Sequence, residues 1–583
     1  MSDTATRTRQ PPVRSLPLTA ALRLQRPSDT WFKPALSVVL ASAVPHLTLL
    51  AAGRLDLVMY TMAGSLCALY GHSLPYARRA RTVAGVVLGM AAGLAIALVT
   101  ASLTQSTAVL VAVGALLAAA QKVLCDATRI GPPGHVILTF VSSAALFAPQ
   151  RLGQVPGHLV PTLAAGAVAW LVCLGPAVFR REGPERRAVA RALDAAADRA
   201  ADPGPRTRHA AAAAVHAAWQ CLFASGRPTP VRRSLERLVV HAEAAGGASC
   251  PGSDRLRAWA ALARGRGPVP VPPPAPGTAH ELYGIDAERA VLRAAGHRRT
   301  VRRALLRKLG PGSPLLPVAA RTLTGCALAG YLCAALGVGR PYWAIVTAAS
   351  LYQVNVTLTW NRALQRTLGN LLGVLVFAAV LPLSRTGPLA LVLCCLFFSF
   401  AAEALITRNY WLGSVAVTPM ALLVLEFGGP HPAGELIGDR VLDTVIGALV
   451  GFLAAALVTN RRATGRVEHA VEAAERARAE AEKAYAERAH AAPDTLDRAR
   501  RALTASLVEL REAGDAAAGE WWQRAMPGQE VLAIEQAGHR TLAATAQRRG
   551  AVTPAPEARL GPVAHAQETR RGRVADALEN GAE

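Results

Sequence analysis

The 583-residue sequence has little charge and no paired metal-ligand motif, and these shortages argue against several classes of protein. Charged residues make up 17% of the chain, below the ~25% that is usual for soluble domains. With 52% hydrophobic residues, an intrinsically disordered chain is excluded. The nine cysteines form no CxxC pair that accompanies histidines, which argues against a metal site and a disulfide framework.

Motifs for catalysis are also missing. The sequence contains no Walker A loop, so ATP-driven pumping by this chain is not expected. No arrangement of a nucleophile with a general base stands out. We therefore predict that the protein is not an enzyme and that it needs no cofactor or metal.

Acidic residues are scarce relative to basic ones, with 39 Asp and Glu against 63 Lys and Arg and a net charge of +24. Such an excess is typical of proteins that bind nucleic acid or lie at a membrane. No helix-turn-helix or metal-finger pattern is present, so we predict no nucleic-acid partner.

The apolar residues are concentrated in twelve runs, and several of these reach the ~20 residues that a helix needs to cross a bilayer. In lipid the backbone must satisfy its own hydrogen bonds, so the runs are predicted to be helices. The sequence therefore predicts an all-α polytopic membrane protein with twelve spans. They lie at 31–52, 57–74, 83–103, 107–124, 136–149, 157–179, 315–336, 342–358, 368–383, 388–406, 411–427 and 441–459.

Basic residues give the predicted orientation. If residues 1–30 are cytoplasmic, only five of the 63 basic residues fall in outside loops. The positive-inside rule then places both termini and the middle of the chain in the cytoplasm. The five outside residues are Arg54, Arg151, Arg340, Arg385 and Arg440.

Composition divides the chain into five parts. A basic cytoplasmic arm covers 1–30 and carries no evident cleavable signal peptide, and membrane halves of six spans each cover 31–179 and 315–459. A cytoplasmic helical insert occupies 180–314, with a Pro-rich linker at 267–277.

The fifth part is a helical cytoplasmic C-terminal domain at 460–583. It is predicted to have helices at 467–490 and 496–513 and a local apolar cluster at Trp521 and Trp522. Its last ~30 residues are predicted to form a loose tail.

The third run of each half begins in the same way, which suggests an internal repeat. Arginine and threonine precede a pair of glycines four residues apart, Gly85 and Gly89 in the first half and Gly369 and Gly373 in the second. Such pairs permit close approach of helices. Because six spans is an even number, the two six-helix repeats would be parallel, related by an axis along the membrane normal, with a solute path near their junction.

Four segments of the second half resemble the fusaric acid resistance (FUSC) and aromatic acid exporter superfamily over about residues 320–455, whereas the first half matches only in layout. The resemblance implies a multi-pass inner (plasma) membrane protein that exports aromatic carboxylic acids. Related plant proteins are anion channels built as dimers of six-helix units, so this chain resembles such a dimer fused into one polypeptide. Assembly of the chain into a homo-oligomer is left as an alternative. The segments are GRPYWAIVTA at 339–348, RTLG at 366–369, RNYW at 408–411 with VTP at 417–419, and RVLDTVIG at 440–447.

An exporter of organic anions needs cations and aromatic faces, because a guanidinium matches a carboxylate and a ring packs on a ring. Arg366 and Arg408 are the preferred pair, since both lie in family-like segments on the predicted cytoplasmic side. The alternatives are arginines that reach lipid headgroups, aromatics of an interfacial belt and amides that bridge helices. The predicted substrate-binding set is Arg366, Arg408, Asn355, Tyr342, Trp343 and Tyr410.

Coupling to protons would need a titratable group within the membrane, and Glu403 and Asp443 are the best placed. Glu403 precedes Arg408 by five residues and Asp443 follows Arg440 by three, so structural ion pairs are the alternative interpretation.

The sequence thus predicts a secondary transporter of small organic anions, with the bilayer and the anion as its partners. A passive anion channel and a non-transporting membrane scaffold remain as alternatives.

Overall fold

The computed structural model consists of helices joined by loops, and no strand occurs among its described residues. Several predicted features lie outside the described residues. They are the apolar cluster at Trp521 and Trp522, the loose tail, most of the N-terminal arm and part of the Pro-rich linker. Those described are 21–25, 31–226, 229–244, 252–272, 282, 285–286, 288–291, 313, 315–458, 463–487, 493–520 and 528–547.

The apolar helices follow one order of lengths in both halves: long, short, long, long, short, long. In the first half they are α1 (Phe32–Ala51), α2 (Val58–Ser65, flanked by 3-10 turns Leu55–Leu57 and Leu66–Leu69), α3 (Tyr76–Leu103), α4 (Thr107–Thr128), α5 (Val136–Leu146) and α6 (Val155–Leu174, continued by Pro176–Phe179). In the second half, numbered after four polar helices that are described below, they are α11 (Leu315–Ala335), α12 (Tyr342–Leu351), α13 (Val356–Ser384), α14 (Pro388–Ile406), α15 (Tyr410–Glu426) and α16 (Ala433–Leu457).

Eight of these helices are long and apolar enough to cross a membrane, and four are shorter. The short α12 is buried at all ten of its residues and, at 1.5 Å per residue, is about 15 Å long, half the hydrocarbon thickness. Irregular backbone at membrane depth is tolerated where protein surrounds it. The short helices therefore belong to the interior of the bundle, and a count of twelve full crossings stays a prediction.

Contacts between helices repeat from one half to the other. The first helix of each half packs against the fourth helix of the opposite half, α1 against α14 and α11 against α4. Within each half the second and sixth helices pack together, as do the third and sixth. The two halves therefore meet through reciprocal contacts.

Several predicted spans have different limits in the structure. Helix α3 begins at Tyr76 rather than at 83, and α16 begins at Ala433 rather than at 441, so Arg440 lies within a helix and not in an outside loop as predicted. The run at 342–358 is interrupted, because the helix ends at Leu351 and Asn355 is extended. Helix α13 then begins at Val356, well before the predicted 368, since the Asn355 side chain accepts a hydrogen bond from the Leu358 amide. A hydropathy criterion misses this start because the first turns of α13 are polar.

The paired glycines pack closely in the second half only. A Cβ on Gly369 would lie 2.5 Å from the Trp411 carbonyl oxygen, whereas Gly85 and Gly89 have nothing within 4 Å of such an atom. In the first half the closely packed glycine of α3 is Gly93. A Cβ on Gly93 would lie within 2.9 Å of the side chains of Gln121 and Ser142. The predicted close packing at Gly85 and Gly89 is therefore wrong, because that face of α3 is open.

The polar helices form two compact groups. The insert contains α7 (Gly183–Ala201), α8 (Pro205–Ala224), α9 (Pro230–Ala244) and α10 (Ser253–Arg264), and the C-terminal region contains α17 (Ala463–Ala486), α18 (Pro493–Ala518) and α19 (Gly528–Gln547). Each group has its own apolar core. Helix α8 packs on α18 and α9 on α19, so both groups lie on the same side of the membrane halves.

The C-terminal region is fixed to the second membrane half by buried polar contacts. Arg321 of α11 donates two hydrogen bonds of 3.0 Å to the Glu520 carboxylate, and both side chains are almost wholly buried. The Gly519 carbonyl accepts from the backbone and the hydroxyl of Thr357. The start of α13 is therefore bound to the end of α18.

Substituting a closely packed glycine of α13 should destabilise the protein. For Gly369→Ala we expect a loss of about 1–3 kcal/mol, because the added methyl group must displace backbone atoms of α15. Gly89→Ala in α3 is the matched control, since its methyl group meets open space. Thermal unfolding of both variants in detergent measures the difference, and equal melting temperatures would contradict this packing.

Acid should weaken the contact between the insert and the C-terminal region. Burial, aided by Arg199, Arg208 and His209, lowers the pKa of His539 in α19 to about 4. Because the ordinary pKa is near 6.5, the stability contributed by neutral His539 is present above pH 6.5 and is lost as pH falls towards 4. Amide hydrogen exchange in α19 should therefore accelerate between pH 6.5 and 4.

The variant His539→Gln provides the control for this pH dependence. Glutamine keeps a polar side chain but does not titrate, so exchange in α19 should become less sensitive to acid. An unchanged pH profile in the variant would contradict the role assigned to His539.

Candidate functional site

A column of polar side chains runs along one face of α13. Arg362, Arg366 and Asn370 are spaced four residues apart, which places them on the same side of the helix about 6 Å from one another along its axis. Arg366 is 4% exposed and Asn370 is 1% exposed, so the inner part of the column is buried. We call these residues, together with Tyr410 and Arg440, the basic column.

Asn370 connects three helices at the inner end of the column. Its amide nitrogen donates to the Thr444 hydroxyl at 3.0 Å, and its amide oxygen accepts from the Thr418 hydroxyl at 2.7 Å. Arg440 donates to the same oxygen at 3.4 Å. This single amide therefore ties α13 to α15 and α16.

Arg440 is a buried guanidinium with spare hydrogen-bond donors. It is 1% exposed and lies 4.0 Å from the centre of the Trp343 ring, a distance typical of cation–π contacts. Its Nε and Nη1 atoms have no hydrogen-bond partner. A buried donor without an acceptor is costly, so the site is suited to an anion.

Aromatic rings surround this guanidinium. Trp343 stacks on Phe140 of the first half, with ring centres 5.3 Å apart and planes 26° apart, and it also contacts Tyr342. Phe140 comes from α5, so both halves contribute to the aromatic cluster.

Tyr410 forms the other end of the column. Its hydroxyl accepts a hydrogen bond of 3.1 Å from Arg366, and the Arg362 guanidinium lies 3.8 Å from its ring centre. Asn409 caps α15 by accepting from the Trp411 amide, which fixes Tyr410 at the first position of the helix. Four of the six predicted substrate-binding residues thus lie in or beside the column: Arg366, Tyr342, Trp343 and Tyr410.

The other two predicted residues lie elsewhere. Asn355 caps α13 and its amide donates to the Asp515 carbonyl, so it fixes the helix start to the C-terminal region. Arg408 is exposed, and its carbonyl accepts from the Gln25 amide of the N-terminal segment. That segment also meets Asn409, which donates to the carbonyls of Ala21 and Arg23.

The two predicted proton-coupling residues differ in their surroundings. Asp443 is wholly buried one turn from Arg440, and neither carboxylate oxygen accepts a hydrogen bond of ordinary geometry, although the Cys333 thiol lies beside it. Glu403 is half-buried on α14. The ion pairs that spacing allowed, Glu403 with Arg408 and Asp443 with Arg440, do not form in this part of the chain.

Thr418 and Thr444 are the site residues that sequence reasoning did not single out. Both lie inside segments that carried the family resemblance, TP and DT, but a hydroxyl in an apolar helix usually bonds its own backbone. Here Thr444 and Thr418 do so as well, at 2.7 and 2.9 Å. Only their contacts with Asn370 distinguish them, and these depend on the fold.

The first half has no equivalent of the basic column. When the starts of α3 and α13 are aligned, Val86 and Met90 occupy the places of Arg366 and Asn370. Near Gly93 the Gln121 amide instead donates to Ser142 at 2.8 Å and accepts from Thr139 at 3.0 Å, a neutral network. The basic column is therefore a property of the second half.

Comparisons with known proteins fit this geometry. The helices and the buried basic column define a multi-pass helical membrane protein. Residues 327–454 match a family described as fusaric acid resistance protein-like, which confirms the predicted resemblance for the segment that contains the column.

Part of the chain is also similar to a curated protein. The chain is 31% identical over 189 residues to the uncharacterized membrane protein YvaC of Bacillus subtilis (strain 168). This match covers 32% of the chain and 29% of that relative's length. No solved structure matches the chain significantly.

Removing the central amide should destabilise the second half. In Asn370→Leu the hydroxyls of Thr418 and Thr444 and one donor of Arg440 lose their shared partner in a buried site. We expect a cost of about 1–3 kcal/mol or more, measured as a lower melting temperature in detergent. The neutral network offers the comparison Gln121→Leu, which should destabilise less because no charged group loses a partner.

Proposed function

We propose that the protein is a secondary transporter that exports small organic acid anions, with single-ring aromatic acids as the favoured class, across the inner (plasma) membrane. The observation that carries this proposal is the buried Arg440 guanidinium, which faces the Trp343 ring and keeps two donors unpaired. The match of residues 327–454 to a fusaric acid resistance protein-like family supports the same class of substrate.

The chemistry of the column suits an aromatic carboxylate. Arginine holds its charge at any physiological pH and presents a planar set of donors that fits a carboxylate. The rings of Trp343, Tyr342 and Phe140 offer apolar faces beside Arg440. From there Arg366 and Arg362 extend the positive charge along α13, so an anion meets a cation at about every turn of the helix.

The path is narrow at the junction of the halves. A cavity of about 20 Å³ lies there, lined by Tyr60 and Phe140 of the first half and by Tyr342, Trp343 and Val424 of the second. Such a volume holds about one water molecule. An aromatic acid can pass only if the halves move apart, which favours a carrier over a permanently open channel.

The packing supports the topology that transport requires. We propose twelve crossings in two parallel six-helix repeats, because reciprocal contacts join first and fourth helices across the halves. The insert and the C-terminal region share one side, so the second half crosses an even number of times. With the positive-inside rule, this side and both termini are cytoplasmic.

Asp443 is the proposed proton-coupling residue. It is buried, lacks a hydrogen-bond donor of ordinary geometry and lies one turn from Arg440, where a bound anion and an ionised carboxylate would repel each other. Protonation would remove that repulsion. Glu403 is the second candidate, whereas Arg408, exposed near Tyr410, is proposed to attract anions at the cytoplasmic entrance.

Transport of labelled benzoate in reconstituted vesicles tests the proposal. Arg366→Gln should lower flux at least about tenfold, as expected when a hydrogen bond to a charged group is lost. Arg81→Gln is the matched control, since Arg81 is exposed near the start of α3, the equivalent helix of the first half. No benzoate flux in the unaltered protein, or equal flux in Arg366→Gln and the control, would overturn the proposal.

The same vesicles separate a carrier from the passive channel. Asp443→Asn should abolish accumulation against a gradient when a pH difference is imposed, yet leave downhill exchange. Uphill transport that persists in Asp443→Asn would transfer the role to Glu403. Single-channel current in planar bilayers would instead establish a channel.

A further inference from the structure

A second cavity lies far from the basic column, between the insert and the C-terminal region. It has a volume of about 160 Å³ and is bounded by α8, including His216, Trp219 and Phe223, and by α18, including Arg498, Arg501 and Ala502. Both helix groups contribute walls, so a molecule in this cavity would touch both. We call it the interdomain cavity.

Its size and walls suit one aromatic ring. A cavity of about 150 Å³ in a protein core is known to hold a benzene molecule. Trp219 and Phe223 stack on each other along α8, with ring centres 5.5 Å apart and planes 20° apart. They present an apolar aromatic wall to the cavity.

The charged groups at the cavity favour an acceptor as the ligand's polar group. Arg501 is 9% exposed, donates from Nε to Glu288 at 2.6 Å and lies 5.6 Å from the Trp219 ring centre. Its Nη2 atom is buried and has no hydrogen-bond partner. The Glu243 carboxylate already accepts from the Trp219 indole nitrogen, and burial lowers the pKa of His216.

We propose that the interdomain cavity is a binding site for a single-ring aromatic carboxylate, which acts as an effector rather than as cargo. Its carboxylate would accept from Arg501 Nη2 beside Arg498, and its ring would pack against Trp219 and Phe223. Since the ligand contacts both helix groups, its binding and their association stabilise each other. The inference rests on the cavity alone and holds whether or not the basic column transports the same class of molecule.

Benzoate binding to the purified full-length protein in detergent, measured by calorimetry, tests this site. Arg501→Gln should weaken binding at least about tenfold, because a hydrogen bond to a charged group is lost. Ala502→Leu fills the cavity from α18 without removing a charge and should weaken binding as well. Arg478→Gln, which breaks an exposed arginine–glutamate pair on α17, is the matched control and should bind as the unaltered protein does.

Two further measurements keep this site separate from the transport path. Arg366→Gln should retain benzoate binding at the interdomain cavity even if it has lost flux. Benzyl alcohol, which has the ring but no carboxylate, should bind much more weakly than benzoate. The proposal is overturned if neither Arg501→Gln nor Ala502→Leu weakens binding, or if benzyl alcohol binds equally well.

Circular dichroism and gel filtration show whether each variant is folded. If Arg501→Gln alone loses binding together with its helical signal, Ala502→Leu decides the question. Binding that survives in a folded Ala502→Leu protein would contradict the assigned position of the ligand.

Discussion

The second membrane half is organised around one buried arginine. Moving a guanidinium from water to the membrane interior is costly unless other groups compensate its charge and accept hydrogen bonds from its N–H groups. Arg440 meets part of this need by facing the Trp343 ring and by donating to Asn370. Asn370 in turn binds hydroxyls of two other helices, so the positions of α13, α15 and α16 all depend on how this charge is accommodated.

The two halves share a scaffold but differ in what it carries. Both have the same order of long and short helices, and their contacts are reciprocal. The buried polar groups differ, since the first half has neutral amide and hydroxyl contacts around Gln121 where the second has a chain of guanidinium groups. The shared helix order and contacts are what an internal duplication would produce, whereas the basic column belongs to the second half alone.

Much of the fold was predictable because apolar runs of sufficient length specify helices in lipid. The limits of the helices were less accessible. Helix α13 starts in a polar stretch whose cap, Asn355, is held by the distant Asp515, and nothing local to the sequence reveals that partner. Likewise Gly93 rather than Gly89 makes the close contact in α3, because helix rotation decides which glycine faces a neighbour.

The candidate site was partly predictable for a related reason. Arginine and aromatic residues are conspicuous in apolar segments, so Arg366, Tyr410 and Trp343 could be selected from the sequence. The threonines could not, since a hydroxyl is inconspicuous until a partner approaches it. Asn355 and Arg408 were selected by their position near the same segments, yet their side chains serve a helix cap and an exposed surface.

The C-terminal region provides a physical connection between the interdomain cavity and the basic column. Helix α18 carries Arg501 at the cavity, and the residue that follows its end, Gly519, binds Thr357 at the start of α13. Between Arg501 and Gly519 an α-helix rises by about 27 Å, and such a helix resists bending. A displacement at the cavity would therefore be transmitted along α18 to the helix that carries Arg362, Arg366 and Asn370, provided that the buried pair of Arg321 and Glu520 keeps the two bound.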